Sequence, residues 1–252
     1  DTASNLAAAG TADLNGANDL TVTDTATVAE ASAIEGASNS GTTSIASLED
    51  TATAIAGSSD AVLDEVTGTV TATGNATVAE SETLAGFTKA VVYNVEGTAA
   101  DIAAALGGDA EAQAGINDAV DISATGTATV AEAQTLQDAS NTGSLTYDVA
   151  DTASNILSEQ SSSGNASGSV LGDAVSIATS DESAVSLSVS EYTMLTDTLG
   201  VTITNGYDLS DTASNLAAAG TADLNGASDL TATDAATVAE AQTLQDASNT
   251  GS

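Results

Sequence analysis

Hydrophobic and polar residues alternate in short runs: LTVTD at 20–24, TVTAT at 69–73, AVDIS at 119–123, LTYDV at 145–149 and VTIT at 201–204. Alternation of period two, rich in Val, Ile, Thr and Tyr, predicts a short strand at each. Behind these runs the period changes. The motif ATVAExxxL begins at Ala26, Ala76, Ala128 and Ala236, and LSVSEYTML from Leu187 is a degenerate fifth copy. Val28, Ala31 and Ile34 stand at i, i+3 and i+6, and the ends of that stripe return as Val78/Leu84, Val130/Leu136, Val189/Leu195 and Val238/Leu244. Such spacing marks the apolar face of a helix. Each copy also carries a capping box, a Ser or Thr followed three residues on by Glu: Thr27/Glu30, Thr77/Glu80, Thr129/Glu132, Ser188/Glu191 and Thr237/Glu240. The pattern predicts helices over 27–37, 77–86, 129–139 and 237–247, each preceded by a parallel strand.

A second motif, DTAxx[IL], starts at Asp1, Asp50, Asp151 and Asp211, with GTAADI at Gly97 as a variant. The aspartates are expected to be helix N-caps whose charge also suits the helix dipole, with Gly97 a permitted substitute. Leu6, Ile55, Ile102, Ile156 and Leu216 are then expected to face the core. Asn-Gly and Ser-Gly clusters are expected to end the helices and turn the chain back.

The two motifs interleave and each returns every 47 to 60 residues, so the basic unit is about 25 residues, a period typical of stacked-coil proteins. Motif starts near 1, 26, 50, 76, 97, 128, 151 and 187 fill 1–210, and residues 1–42 recur almost unchanged at 211–252. Residues 1–210 read as one long repeat of a continuous solenoid, and 211–252 as the start of the next. The segment ATVAEAQTLQDASNTGS at 128–144 is identical to 236–252. The fold expected is α/β: a β-α solenoid of strand–helix coils stacked on a parallel sheet. With coils about 4.8 Å apart, roughly ten of them make a rod about 50 Å long. An all-β parallel solenoid is the alternative. It requires ATVAEAQTLQDA to be extended, against its Ala, Glu and Gln content and its capping box.

Composition sharpens this reading. Aromatic residues make up 2% of the chain, so any core is thin and built of small aliphatics, without the large areas that aromatic rings bury. Acidic residues number 36 against one basic residue, Lys89, a formal net charge of −35. Nucleic acid is therefore not an expected partner, because phosphate binding depends on Lys and Arg; anionic membrane surfaces are disfavoured for the same reason. No run approaches the roughly 20 apolar residues that span a bilayer. The N-terminus shows no basic, hydrophobic leader and Asp1 is not an initiator Met, so targeting signals are expected to have been removed or to lie elsewhere. The absence of cysteine assigns no compartment by itself. High acidity fits an exterior rich in salt or calcium, where counterions screen self-repulsion.

Candidate chemistry is narrow. With no His or Cys, the usual nucleophile–base pairs and zinc sites cannot be built. The carboxylate pairs Asp64–Glu65 and Asp181–Glu182 remain as a glycosidase-like possibility, but they sit in polar stretches where solvated charge accounts for them. Metal binding by oxygen ligands alone points to calcium or magnesium. The first cluster is DLNGAND, with Asp13, Asn15, Asn18 and Asp19, and its copy with Asp223, Asn225 and Asp229. The plain alternative is a helix-to-strand turn at Asn-Gly. Asp24 and its copy Asp234, expected at strand ends, form a second set. Carboxylates on strands about 4.8 Å apart repel by roughly 1 kcal/mol even in water, which a bound cation would relieve.

DTASN(I/L) and ATVAEAQTL resemble repeats of very large bacterial cell-surface and exported proteins, including calcium-rich adhesins of the type I secretion class. The glycine-rich nonapeptide of the calcium-binding toxin repeats is absent, and GGDAEAQAG at 107–115 departs from it. The resemblance implies an extracellular or cell-surface location and a non-enzymatic fibre, filament or stalk, adhesive and calcium-stabilised. Its partners would be further copies of itself, head to tail or by covalent continuation. A ligand- or ice-binding module is the competing expectation. It rests on the pairs Thr21/Thr23, Thr71/Thr73 and Thr202/Thr204, a pattern that SIAS at 44–47 and YNVE at 93–96 interrupt.

Overall fold

A computed structural model describes residues 1–249. Among these residues ten strands are β1 (Leu20–Ala26), β2 (Thr43–Thr51), β3 (Val70–Ala76), β4 (Val91–Thr98), β5 (Ile122–Ala128), β6 (Leu145–Asp151), β7 (Ile177–Thr179), β8 (Val185–Leu187), β9 (Tyr207–Asp211) and β10 (Leu230–Ala232). Among the described residues they form two parallel sheets, one of seven strands and one of three, each in chain order. Helices separate nearly all consecutive strands, as parallel connections require. The fold is α/β, and the extended alternative for ATVAEAQTLQDA does not hold. Helices occupy Val28–Glu35, Val78–Ala85, Val130–Gln137 and Val238–Gln245, each after a strand.

The chain divides into two compact units, Asp1–Thr125 with Thr135–Leu145, and Gly126–Gln134 with Thr146 onward. In the first, parallel register runs Val22↔Ile45, Leu48↔Val70, Val70↔Val91 and Val95↔Ile122. β1 and β3 carry bulges between Val22 and Thr25 and between Thr71 and Asn75. The core is one layer of aliphatics between sheet and helices: Val22, Ile45, Val70 and Ile122 meet Ile34, Ile55, Leu84, Ile102 and Ile116, all buried. In the second unit Val149, Ile177 and Leu209 from strands are buried with Ile156, Leu195, Leu216 and Leu224 from helices.

Tyrosines supply the bulk that small aliphatics lack. Tyr93 on β4, Tyr147 on β6 and Tyr207 on β9 are buried. Each hydroxyl donates to a backbone carbonyl of the following coil: Gly115 at 3.0 Å, Val170 at 2.8 Å and Asp223 at 2.8 Å. A buried hydroxyl needs such an acceptor. Burial pushes the Tyr93 and Tyr207 phenols well above their ordinary pKa.

Three expectations are corrected. The N-cap of the DTA helices is the threonine, not the aspartate: Thr2, Thr51, Thr152 and Thr212 accept from the backbone N–H three residues on. Thr98 does so in the variant, so Gly97 is not the cap. Threonine has the extended backbone and the short reach an N-cap needs, and the aspartate before it is thereby freed for another partner. Second, four of the DTA coils hold two helices, the second being Thr11–Asn15, Asp60–Asp64, Ala110–Asn117 or Thr221–Gly226. The buried Leu14, Leu63, Ile116 and Leu224 anchor these short turns. Third, VTIT at 201–204 makes only the bridge Ala178↔Thr202, and the strand before Asp211 is β9. The fifth ATVAE-type helix is also irregular, an α-turn Val189–Thr193 running into a π-turn Met194–Thr198.

Candidate functional site

The polar residues that recur converge on the seams between successive coils. A helix N-terminus leaves four backbone N–H groups without intrahelical partners. In all five ATVAE-type copies the capping-box Glu accepts from the N-cap N–H and the N-cap hydroxyl accepts from the third helical N–H. In three of them the first helical N–H is served from elsewhere. Val28 N–H donates to Asp50 at 3.0 Å, Val130 N–H to Asp151 at 2.9 Å and Val189 N–H to Asp211 at 3.1 Å. These aspartates come from the DTA motif of the next coil, 21 or 22 residues on. With its other oxygen each accepts from the following threonine N–H, at 2.7 or 2.8 Å. One carboxylate thus ties the entry of two helices in neighbouring coils. Such charge-assisted bonds are stronger than neutral ones.

Three of the DTA helices are completed in the same way. Ala3 N–H donates to Asp24 at 2.7 Å, Ala153 N–H to Asp181 at 2.9 Å and Ala213 N–H to Asp234 at 2.7 Å. Asp24 sits at the bulge of β1, which turns its side chain back along the coil. In β3 and β5 the corresponding residues are Gly74 and Gly126, with φ of 72° and 70°. Gly97 likewise stands where an aspartate would face Val78, whose side chain lies so close that a methyl group on Gly97 would come within 2.8 Å of it.

A second seam runs where the ATVAE helices end. Asn15 accepts from Ser38 N–H at 2.6 Å, Asn117 from Ser140 N–H at 2.9 Å and Asn225 from Ser248 N–H at 2.8 Å. Asp19 takes both the N–H and the hydroxyl of Thr42, at 2.8 and 3.1 Å, and Asp121 those of Ser144, at 2.7 and 2.8 Å. These bonds hold the Asp19 and Asp121 carboxyls below the usual range, the backbone N–H contributing most.

Most candidate ligands therefore have hydrogen-bonding partners in the seams. Asn15, Asp19, Asp24, Asn225 and Asp234 accept bonds from a neighbouring coil. Asn18 bonds Asp19 through its amide and Ser40 through its oxygen. Asp13 and Asp223 lie in the first turns of short helices, and Asp229 donates its N–H to Asp208. Among the described residues no three acidic side chains gather as a metal cluster. Of the carboxylate pairs, Asp181 caps Ala153 and Asp64 accepts from Thr88. Burial, then the charges of Glu35 and Asp64, raise the Glu65 pKa. The outward rows of the first unit are mixed: Thr25 beside Ser47, Glu49 beside Thr71 beside Val92, Glu96 beside Ser123. They do not make a repeated threonine array.

The aspartate seam was not foreseen from sequence, although a signal was present in the constant offset of 21 or 22 residues from the motif valine to the next DTA aspartate. No family model, curated protein or solved structure matches this chain.

Proposed function

We propose that this chain is a stretch of β-α solenoid serving as a non-enzymatic structural segment of an extracellular or cell-surface fibre, filament or stalk, with further copies of the same repeat as its partner. The observation that carries the reading is the use of recurrent polar residues: the motif aspartates, asparagines and capping boxes are spent on completing helices and joining one coil to the next. That is the economy of a chain whose unit is a coil and whose neighbours carry its stability. A location outside the cell and an adhesive use rest on the resemblance to bacterial surface repeats. The −35 charge argues against a nucleic-acid partner, and among the described residues no helix is long and apolar enough to cross a membrane. Calcium enters the proposal as a stabiliser of this acidic surface.

Negative-stain microscopy with light scattering on native material tests the reading. Long thin fibres are expected. A compact monomer with both end strands covered by its own chain would overturn it and favour a binding module.

A further inference from the structure

The same sequence occurs twice in this chain in different surroundings. Residues 128–144 and 236–252 are identical. In the first copy Val130 is 8% exposed, Ala133 and Leu136 are fully buried, and Val130 N–H is held by Asp151. In the second, Val238 is 87% exposed, Ala241 is exposed and Leu244 is half-buried. No aspartate among the described residues reaches Val238 N–H. β10 pairs with β9 on one edge and with no described strand on the other. Identical residues thus show both a covered and an uncovered state, and the covered state shows what fits: a strand ending in Asp-Thr, followed by a helix. A second case agrees, since Val28 N–H is held by Asp50 at the end of β2.

We propose that the coil Leu230–Gln245 is an acceptor face for a further coil of this same repeat, which adds a parallel strand beside β10 and places its DTA aspartate on Val238 N–H. Strand addition supplies the main-chain bonds, and the aspartate sets the register, because a shift of one residue would carry it off the helix entry and turn the strand's apolar residues outward. The inference rests on the structural-repeat reading for its choice of occupant.

Hydrogen exchange at Val238 is the direct readout. The 252-residue chain is compared with a chain extended after Ser252 by a copy of residues 145–163, and with the same extension in which the aspartate copying Asp151 is replaced by alanine. The extension should slow Val238 exchange about ten-fold or more, the scale of a charge-assisted bond. The alanine version should restore fast exchange at Val238 while leaving Ala241 and Leu244 protected. A second extension, copying residues 43–56, guards against one that fails to fold. If Val238 exchanges as fast in both extended chains as in the original, the assignment is wrong. Fibres under the microscope without slowing at Val238 would sink this inference and leave the structural reading standing; slowing without fibres in native material would do the reverse.

Discussion

At the scale of single residues, two side chains that serve the same helix should differ in what they cost to remove. Thr129 caps its own helix through a bond across three residues, and Thr129→Ala should cost about 1 kcal/mol. Asp151 is 9% exposed and takes Val130 N–H, Thr152 N–H and the Asn155 amide. Its removal leaves the buried Val130 N–H and the half-buried Thr152 N–H without a partner, so Asp151→Ala should cost about 1.5–3 kcal/mol, the range for bonds to charged groups. Urea denaturation of both variants checks the order; equal losses would mean the inter-coil bond adds nothing. The capping box was legible in the sequence because all its atoms lie within four consecutive residues. The aspartate's second bond was not, because it depends on which coil lies beside which, and it placed the helix cap one residue away from where charge alone suggested.

At the scale of elements, strand and helix types were largely legible wherever the pattern had a clear period. The ATVAE helices fall within one or two residues of their expected span. SIAS and YNVE, which interrupt the threonine pattern, lie in the strands β2 and β4: burial of Ile45, Leu48, Tyr93 and Val95 makes them strands, and their outward residues are free to vary. The short second helices were hidden because five residues hold no full apolar period. Packing between helices makes its own demand at Gly115, within Ala110–Asn117, where a methyl group would lie 2.6 Å from the Glu82 backbone nitrogen. Alanine normally favours a helix over glycine by about 1 kcal/mol. Here Gly115→Ala should instead destabilise by about 1–3 kcal/mol through overpacking, read as a lower thermal midpoint. A gain in midpoint would show that the two helices can part without loss.

At the scale of the whole molecule, charge governs how stability responds to solution conditions. The Asp211 carboxyl is held below its ordinary range, first by the Asn215 amide and then by the Thr212 N–H. A depressed folded pKa means stability that is present above the unfolded carboxylate range and lost as pH falls through the folded value. The gap in melting temperature between the wild type and Asp211→Asn should therefore be full at neutral pH and narrow in acid. Taking the difference cancels the relief of general repulsion that both proteins share. A gap unchanged by pH would refute the role given to the carboxylate. Calcium should raise the melting temperature at millimolar concentration beyond sodium at equal ionic strength, because an ion bound only by the folded state stabilises by mass action. Equal effects would reduce the cation's part to screening, leaving the seam carboxylates to their hydrogen bonds.

The direction of the aspartate bonds bears on how such a chain is made. In every case the carboxylate comes later in the sequence than the helix it completes, by 21, 22 or 28 residues. A ribosome adds about 5–20 residues per second, so each helix completed in this way waits on the order of 1–5 s for its last partner. During synthesis the entry of such a helix therefore stays incomplete until the next coil has been made. A stalled or truncated product would carry its unmet helix N–H at the trailing end.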